Sequence, residues 1–150
     1  MSAATSLVSK KDITEYIPQK HPIVMIDTLE YCDKTSTKTG FTVDADSIFV
    51  KNGRLREPGI IENIAQSAAV GAGYEVKKMG SAPLLGFIGA LKNLVIYELP
   101  KVGDLLETTV SAKAEVMGVT VIEGVSFCNG IKIAECEMKV FVQKPAQTHA

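Results

Sequence analysis

The chain lacks tryptophan and has only three cysteines and two histidines in 150 residues. Cys32, Cys128 and Cys136 show neither a CxxC pair nor a Cys/His ligand spacing. That excludes a zinc ribbon and a dithiol redox motif, and leaves thiols that fill apolar space. Unpaired thiols fit a reducing compartment, so a cytoplasmic protein is expected. An excess of one charge is also missing: 16 Lys and Arg stand against 17 Asp and Glu, for a net charge of −1. With no basic patch interleaved with aromatics, no nucleic-acid partner is expected. No apolar run approaches the ~20 residues that span a bilayer, so no membrane partner is expected either. Met1 to Lys11 has no apolar core of a signal peptide. The cofactor and metal motifs are absent too. Gly86-Phe87-Ile88-Gly89 lacks the lysine of a phosphate loop and the spacing of a dinucleotide fingerprint. There is no GxSxG elbow and no HExxH, and Asp44, Asp46 and Ser47 lack the glycine and distal glutamate of a calcium loop. Neither cofactor nor metal is therefore expected.

What is present is one long helical pattern among strands. From Pro58 to Tyr74 apolar residues fall at 60, 61, 64, 65, 68, 69 and 72, the spacing of one helix face. Pro58 suits a first helical position, and Lys77-Lys78-Met79-Gly80 gives a cationic last turn and a glycine stop. The later part is small (Ala68, Ala69, Gly71, Ala72, Gly73), so a buried helix gripped by a sheet is expected. Glu62 and Gln66 break the apolar pattern, and their spacing of four places them on one face.

Around the helix, residues 1–8 are expected to be loose. A short helix is expected over about 10–16, capped by Ser9 and stopped by Pro18. A turn follows at Gln19-Lys20-His21-Pro22, then a strand from Ile23 to about Cys32 and a second over Thr35 to Val43. Residues 44–56 are expected to be irregular, with an Asn52-Gly53 turn. After the helix, strands are expected from Pro83 to Tyr97, Leu106 to Val116, Val119 to Cys128, and through Ala134 to Val142. Asn129-Gly130 marks a hairpin turn, and the tail from Pro145 is expected to be loose. The 150 residues read as one α+β domain: a long helix against an antiparallel sheet.

Two ionisable residues stand out. His149 lies in the tail, so His21 is the imidazole within the folded pattern; it is either a surface residue of a turn or a general base. Glu62 is either a solvated carboxylate near a helix start or, among apolar neighbours, a carboxyl that can serve as an acid.

Several stretches together resemble the β-hydroxyacyl-acyl-carrier-protein dehydratases of the hotdog fold. Residues 17–27, IPQKHPIVMID, are similar to that family's opening LPHxxPxLLLD; Glu62-Asn63-Ile64-Ala65-Gln66 matches its ExxAQ; Gly89 and Val102-Gly103-Asp104 are similar to its glycine strand and PGD turn. The resemblance runs from about residue 12 to 143, and the His-Pro of the opening segment looks most like the dehydratases of aryl polyene and flexirubin pigment clusters. It implies a central helix wrapped by a curved antiparallel sheet, paired across the sheet edge as a hotdog dimer or higher homo-oligomer, or as a heterodimer with a related dehydratase. It implies an acyl tunnel at that interface and loss of water from a 3-hydroxyacyl thioester on an acyl carrier protein, giving the trans-2-enoyl thioester. By resemblance, Glu62 is the acid or water-holder, Gln66 orients it, Pro22 belongs to the substrate-binding turn, and the backbone N–H near Gly89 meets the thioester carbonyl. A plain bulge at Gly89 is the other reading. The sequence departs from the family's HFPxxPG before the helix: residues 51–59 read KNGRLREPG, with no histidine and with the proline-glycine nearer the glutamate. Either His21 supplies the imidazole, or the protein binds acyl chains as an inactive partner subunit. A hotdog thioesterase, with Glu62 activating water, is the hydrolytic alternative.

Overall fold

The computed structural model describes residues 6–80 and 85–143. The tail from Pro145, His149, Pro83 and the first five residues lie outside that range. One helix, α1 (Glu57–Lys78), packs on a six-stranded antiparallel sheet of β1 (Thr28–Cys32), β2 (Ser36–Thr42), β5 (Leu85–Ile96), β6 (Leu105–Val116), β7 (Val119–Cys128) and β8 (Ile131–Gln143). The strand order is β1-β2-β6-β7-β8-β5, so β1 and β5 are the edges. A two-stranded hairpin, β3 (Val50–Lys51) and β4 (Arg54–Leu55), leads into the helix. This is the α+β hotdog arrangement expected from the sequence.

The hairpins form where the turn residues allow them. Asn52-Gly53, Met117-Gly118 and Asn129-Gly130 all have positive φ at both positions, the geometry that matches strand twist in a two-residue loop. The helix seats closely because three glycines remove a Cβ at contact points. A Cβ on Gly124 of β7 would lie 2.3 Å from Ile64 Cγ2, one on Gly71 2.3 Å from Thr37 Oγ1, and one on Gly73 1.9 Å from the Tyr16 carbonyl oxygen. Ile60 and Ile64 are fully buried in the main core with Met25, Leu55, Leu106 and Met138. A second cluster joins Val8, Ile13, Ile17, Val24, Ile26 and Leu29 to Val70.

Four expectations change. The short helix is a 3-10 turn, Ile13–Glu15, with no side-chain cap bond. Residue Val8 is not loose: it is buried and exchanges two backbone hydrogen bonds with Leu29, each 3.1 Å. The first strand begins at Thr28, not Ile23. Its apolar approach, Ile23 to Ile26, joins no strand ladder; helix side chains bind its backbone instead. The stretch before the helix is not wholly irregular, because the Asn52-Gly53 turn closes the β3–β4 hairpin. The helix starts one residue before Pro58, within the usual latitude of helix ends.

Candidate active site

The expected pair on one helix face is joined directly. Gln66 Nε2 donates to Glu62 Oε1 at 2.9 Å and to the Ile23 carbonyl at 2.9 Å, while Gln66 Oε1 accepts from Met25 N–H at 2.6 Å. The Met25 N–H can only donate, so it fixes which end of the amide is oxygen. The NH2 end must then face Ile23 and Glu62. Both of its hydrogens are used, and Glu62 Oε1 is held as an acceptor, while its second oxygen has no hydrogen-bond partner among the described residues. Glu62 is half-buried and Gln66 fully buried.

Beside this pair lies a residue the sequence reading did not single out. Asn63 is fully buried, and its Nδ2 donates to the Met25 carbonyl at 2.7 Å. Its Oδ1 accepts from Thr108 Oγ1 at 2.6 Å, and Thr108 Oγ1 lies 2.8 Å from Ser126 Oγ. With the Thr108 proton committed to Asn63, Ser126 must donate to Thr108. A parallel relay runs from Thr39 to Ser67 (2.7 Å) and from Ser67 Oγ to the Asn63 carbonyl (2.7 Å). Asn63 and Gln66 thus grip both the C=O and the N–H of Met25. A signal existed: Asn63 and Ser67 share a helical line with Ile60 and Ile64, and Thr108 is on the inward alternation of β6.

His21 is exposed, and among the described residues it forms neither a hydrogen bond nor an ion pair. Pro22 is likewise exposed, and the His21–Pro22 bond is cis. The turn is nevertheless leashed to the glutamate. Ile23 follows Pro22, and its carbonyl shares the Gln66 amide with Glu62. Two residues of chain keep the His21 Cα within about 7 Å of that of Ile23. In the opening pattern LPHxxPxLLLD the histidine falls on the position of Gln19, whose Oε1 is a buried side-chain oxygen without a hydrogen-bond partner among the described residues. Gly89 is a bulge: pairing steps from Ile88↔Val140 to Ala90↔Lys139 and passes over it. A Cβ there would lie 1.9 Å from the edge of the Phe141 ring, so a side chain at this position would displace that partly exposed ring.

A cleft of about 180 Å³ opens further along the helix, lined by Thr37, Ala68, Gly71, Ala72, Val110 and Ile122. It contains neither Glu62 nor His21. Among the described residues no group of three or more His, Cys, Asp or Glu side chains is gathered to hold a metal. No described helix is long and apolar enough to cross a membrane.

The surroundings of the thiols favour their protonated form. Burial pushes Cys128 and Cys136 each up to about 11, and burial also raises Cys32, with Glu75 adding to the effect. Asp33 is pulled down to about 2, first by the Tyr31 hydroxyl and then by the Thr35 and Ser36 amides, which fixes the β1–β2 turn rather than a site.

Solved structures share this fold. The dehydratase heterocomplex ApeI:P from Xenorhabdus doucetiae matches at a TM-score of 0.81 and 20% identity, covering 88% of this chain and 91% of that one. Cj0977, a sigma28-regulated virulence protein from Campylobacter jejuni, matches at 0.67 and 18% identity, over 92% and 94%. A hypothetical thioesterase from Streptococcus pneumoniae solved with coenzyme A matches at 0.61 and 14% identity, over 77% and 84%. At these identities the likeness establishes the fold. No curated protein matches the sequence. The sequence profile of the family described as ApeP-like, ApeP dehydratase, matches residues 11–150, which takes in the gripped turn, the Glu62–Gln66 pair and the bulged glycine strand alike. The chain belongs to the ApeP-like dehydratase family.

Proposed function

We propose that the protein dehydrates a 3-hydroxyacyl thioester carried on an acyl carrier protein, giving the trans-2-enoyl thioester in polyene-type synthesis. The observation that carries this reading is the Gln66 amide, which binds Glu62 and the His-Pro turn at once. In the reaction the C2–H bond breaks, its electron pair forms the C2–C3 double bond, and the C3–O bond breaks. His21 takes the C2 proton. The Glu62 oxygen not bound to Gln66 protonates the departing hydroxyl, which leaves as water, and solvent exchange restores both groups. The Gly89 N–H, passed over by the ladder, is the donor for the thioester carbonyl as charge builds on it. Pro22 shapes the turn beside the reacting thioester.

The site is completed by a second hotdog chain, either another copy or a related dehydratase. Strand β5 is an open edge with Ile88, Leu91 and Val95 about two-fifths exposed. An unpaired apolar edge strand is a template for another strand. The Xenorhabdus neighbour is itself a heterocomplex.

Incubation with a 3-hydroxyacyl carrier thioester tests the assignment by mass spectrometry of the product. An enoyl thioester is expected, with His21→Ala and Glu62→Gln each at least ~100-fold slower. Unchanged turnover in His21→Ala would remove the imidazole from the mechanism. A second reading, an acyl-binding partner subunit, is favoured by the exposed, unpaired His21 and by glutamine at position 19. It predicts no turnover alone and restored turnover on mixing with a related dehydratase chain.

A further inference from the structure

The β3–β4 hairpin carries an arrangement that the proposed chemistry does not use. In the β3–β4 pairing, Lys51 stands directly opposite Arg54, and an isolated antiparallel bridge sets Arg54 opposite Lys101. Leu55 N–H donates to the Pro100 carbonyl at 2.9 Å and Val102 N–H to the Gly53 carbonyl at 3.0 Å. These bonds flank the Arg54–Lys101 pair, making it the closer, non-hydrogen-bonded kind. Directly opposed residues project to one face, so three cations stand in a row across three adjacent backbone segments. Like charges in such positions oppose folding of the hairpin. Among the described residues none of the three has a carboxylate within salt-bridge distance. Glu57 pairs with Arg56, and Asp104 Oδ2 accepts the Lys101 backbone N–H at 2.9 Å. Arg54 spends Nη1 on the Leu99 carbonyl at 2.7 Å, which braces its guanidinium and leaves its other donors. Lys51 and Lys101 are exposed. In a chain of net charge −1 this row is a local exception.

Its position gives it a use. Arg56 caps the helix directly after β4, and Glu62 lies five residues into that helix, about 7.5 Å along the axis. A thioester reacting at Glu62 hangs on a pantetheine arm whose far end is a phosphate. We propose that Lys51, Arg54 and Lys101 form a subsite for that phosphate. The inference rests on the carrier-thioester reading above. The row is built at the cost of its own repulsion, and a bound phosphate removes that cost while gaining charge-assisted hydrogen bonds.

The test uses the full chain and does not depend on turnover. NMR titration with 4′-phosphopantetheine should give saturable shifts at residues 51–56 and 101, with affinity at least ~10-fold above that of pantetheine at low salt, and less at high salt. The double variant Lys51→Gln/Lys101→Gln should lose that advantage, keep its pantetheine affinity, and melt no lower than the wild type. No binding of phosphopantetheine, equal binding of both probes by the wild type, or full affinity in the variant would overturn the proposal. Inactivity towards every thioester, both alone and after mixing with a related dehydratase chain, would refute the dehydratase reading while leaving these binding outcomes readable. The source of the phosphate follows from a comparison of carrier-bound and coenzyme A thioesters. Weaker binding by the variant for either supports the subsite and names the source; weaker binding for neither refutes it.

Discussion

Replacing Gln66 by alanine removes a side chain that is fully buried and makes hydrogen bonds of 2.6, 2.9 and 2.9 Å. The Met25 N–H it leaves behind is itself buried, and an orphaned buried amide costs about 1–3 kcal/mol. The Ile23 carbonyl lies at a more exposed residue and recovers part of its loss from water. The space vacated by the amide adds about 1 kcal/mol or more. Together these give a loss of about 2–4 kcal/mol, or roughly 5–15 °C in melting temperature for a domain of this size. Urea denaturation followed by circular dichroism reads the first figure, and a thermal scan the second. The companion Gln66→Glu separates hydrogen bonding from volume. The new carboxyl can still accept from Met25, but when ionised it cannot donate to Ile23 and sets a negative charge against Glu62. Its folded-state pKa should therefore be raised. Stability relative to the wild type should be greatest at low pH, and should fall as pH rises through the carboxylate range. A loss below about 1 kcal/mol in Gln66→Ala, or a pH-independent difference in Gln66→Glu, would mean that the amide does not bear these bonds.

Other expectations follow from the same contacts. Gly73→Ala puts a Cβ 1.9 Å from the Tyr16 carbonyl oxygen, where backbone must move, and should cost about 1–3 kcal/mol in denaturant titration. Asn63→Leu leaves the Met25 carbonyl and the Thr108 hydroxyl without their partner, and should lower stability by about 2–4 kcal/mol. The buried thiols make the fold alkali-sensitive. Cys128 and Cys136 titrate near 9 when exposed and at about 11 when folded. The folded state holds their protons longer, so their contribution is complete below pH 9 and is lost as pH rises through about 11. Cys136→Ala should flatten that decline, and iodoacetamide at pH 8 should label these two thiols only after denaturant is added.

The helix was legible because its apolar residues recur with a period that few other structures tolerate, and because Lys77 to Gly80 mark its end. The turn at Asn52-Gly53 and the hairpin at Asn129-Gly130 were legible because two adjacent positive φ angles suit those residues, but the short β3–β4 pairing that the first turn closes was not expected. The segment Ile23–Ile26 misled for a physical reason. Its apolar run is what a buried strand requires, but its backbone partners are the side chains of Asn63 and Gln66, supplied by a helix some forty residues away. Local pattern carries no trace of such a capture. The same limit applies to the site. The spacing of Glu62 and Gln66 gave their shared face, whereas the bond that ties both to Ile23 depends on how a distant turn folds back onto the helix. The cation row was hidden as well, since Lys101 joins Lys51 and Arg54 only through a bridge between distant segments.

The central claim is that Glu62, oriented by Gln66, is the acid of a dehydration. The most direct measurement is the product formed from a 3-hydroxyacyl carrier thioester by the wild type and by Glu62→Gln, followed by mass spectrometry in water enriched in deuterium. The wild type should lose one water and give an enoyl thioester, with deuterium at C2 when the reaction is run in reverse, and Glu62→Gln should convert at least ~100-fold more slowly with the fold intact. Release of a free acid, or wild-type conversion by Glu62→Gln, would contradict that claim.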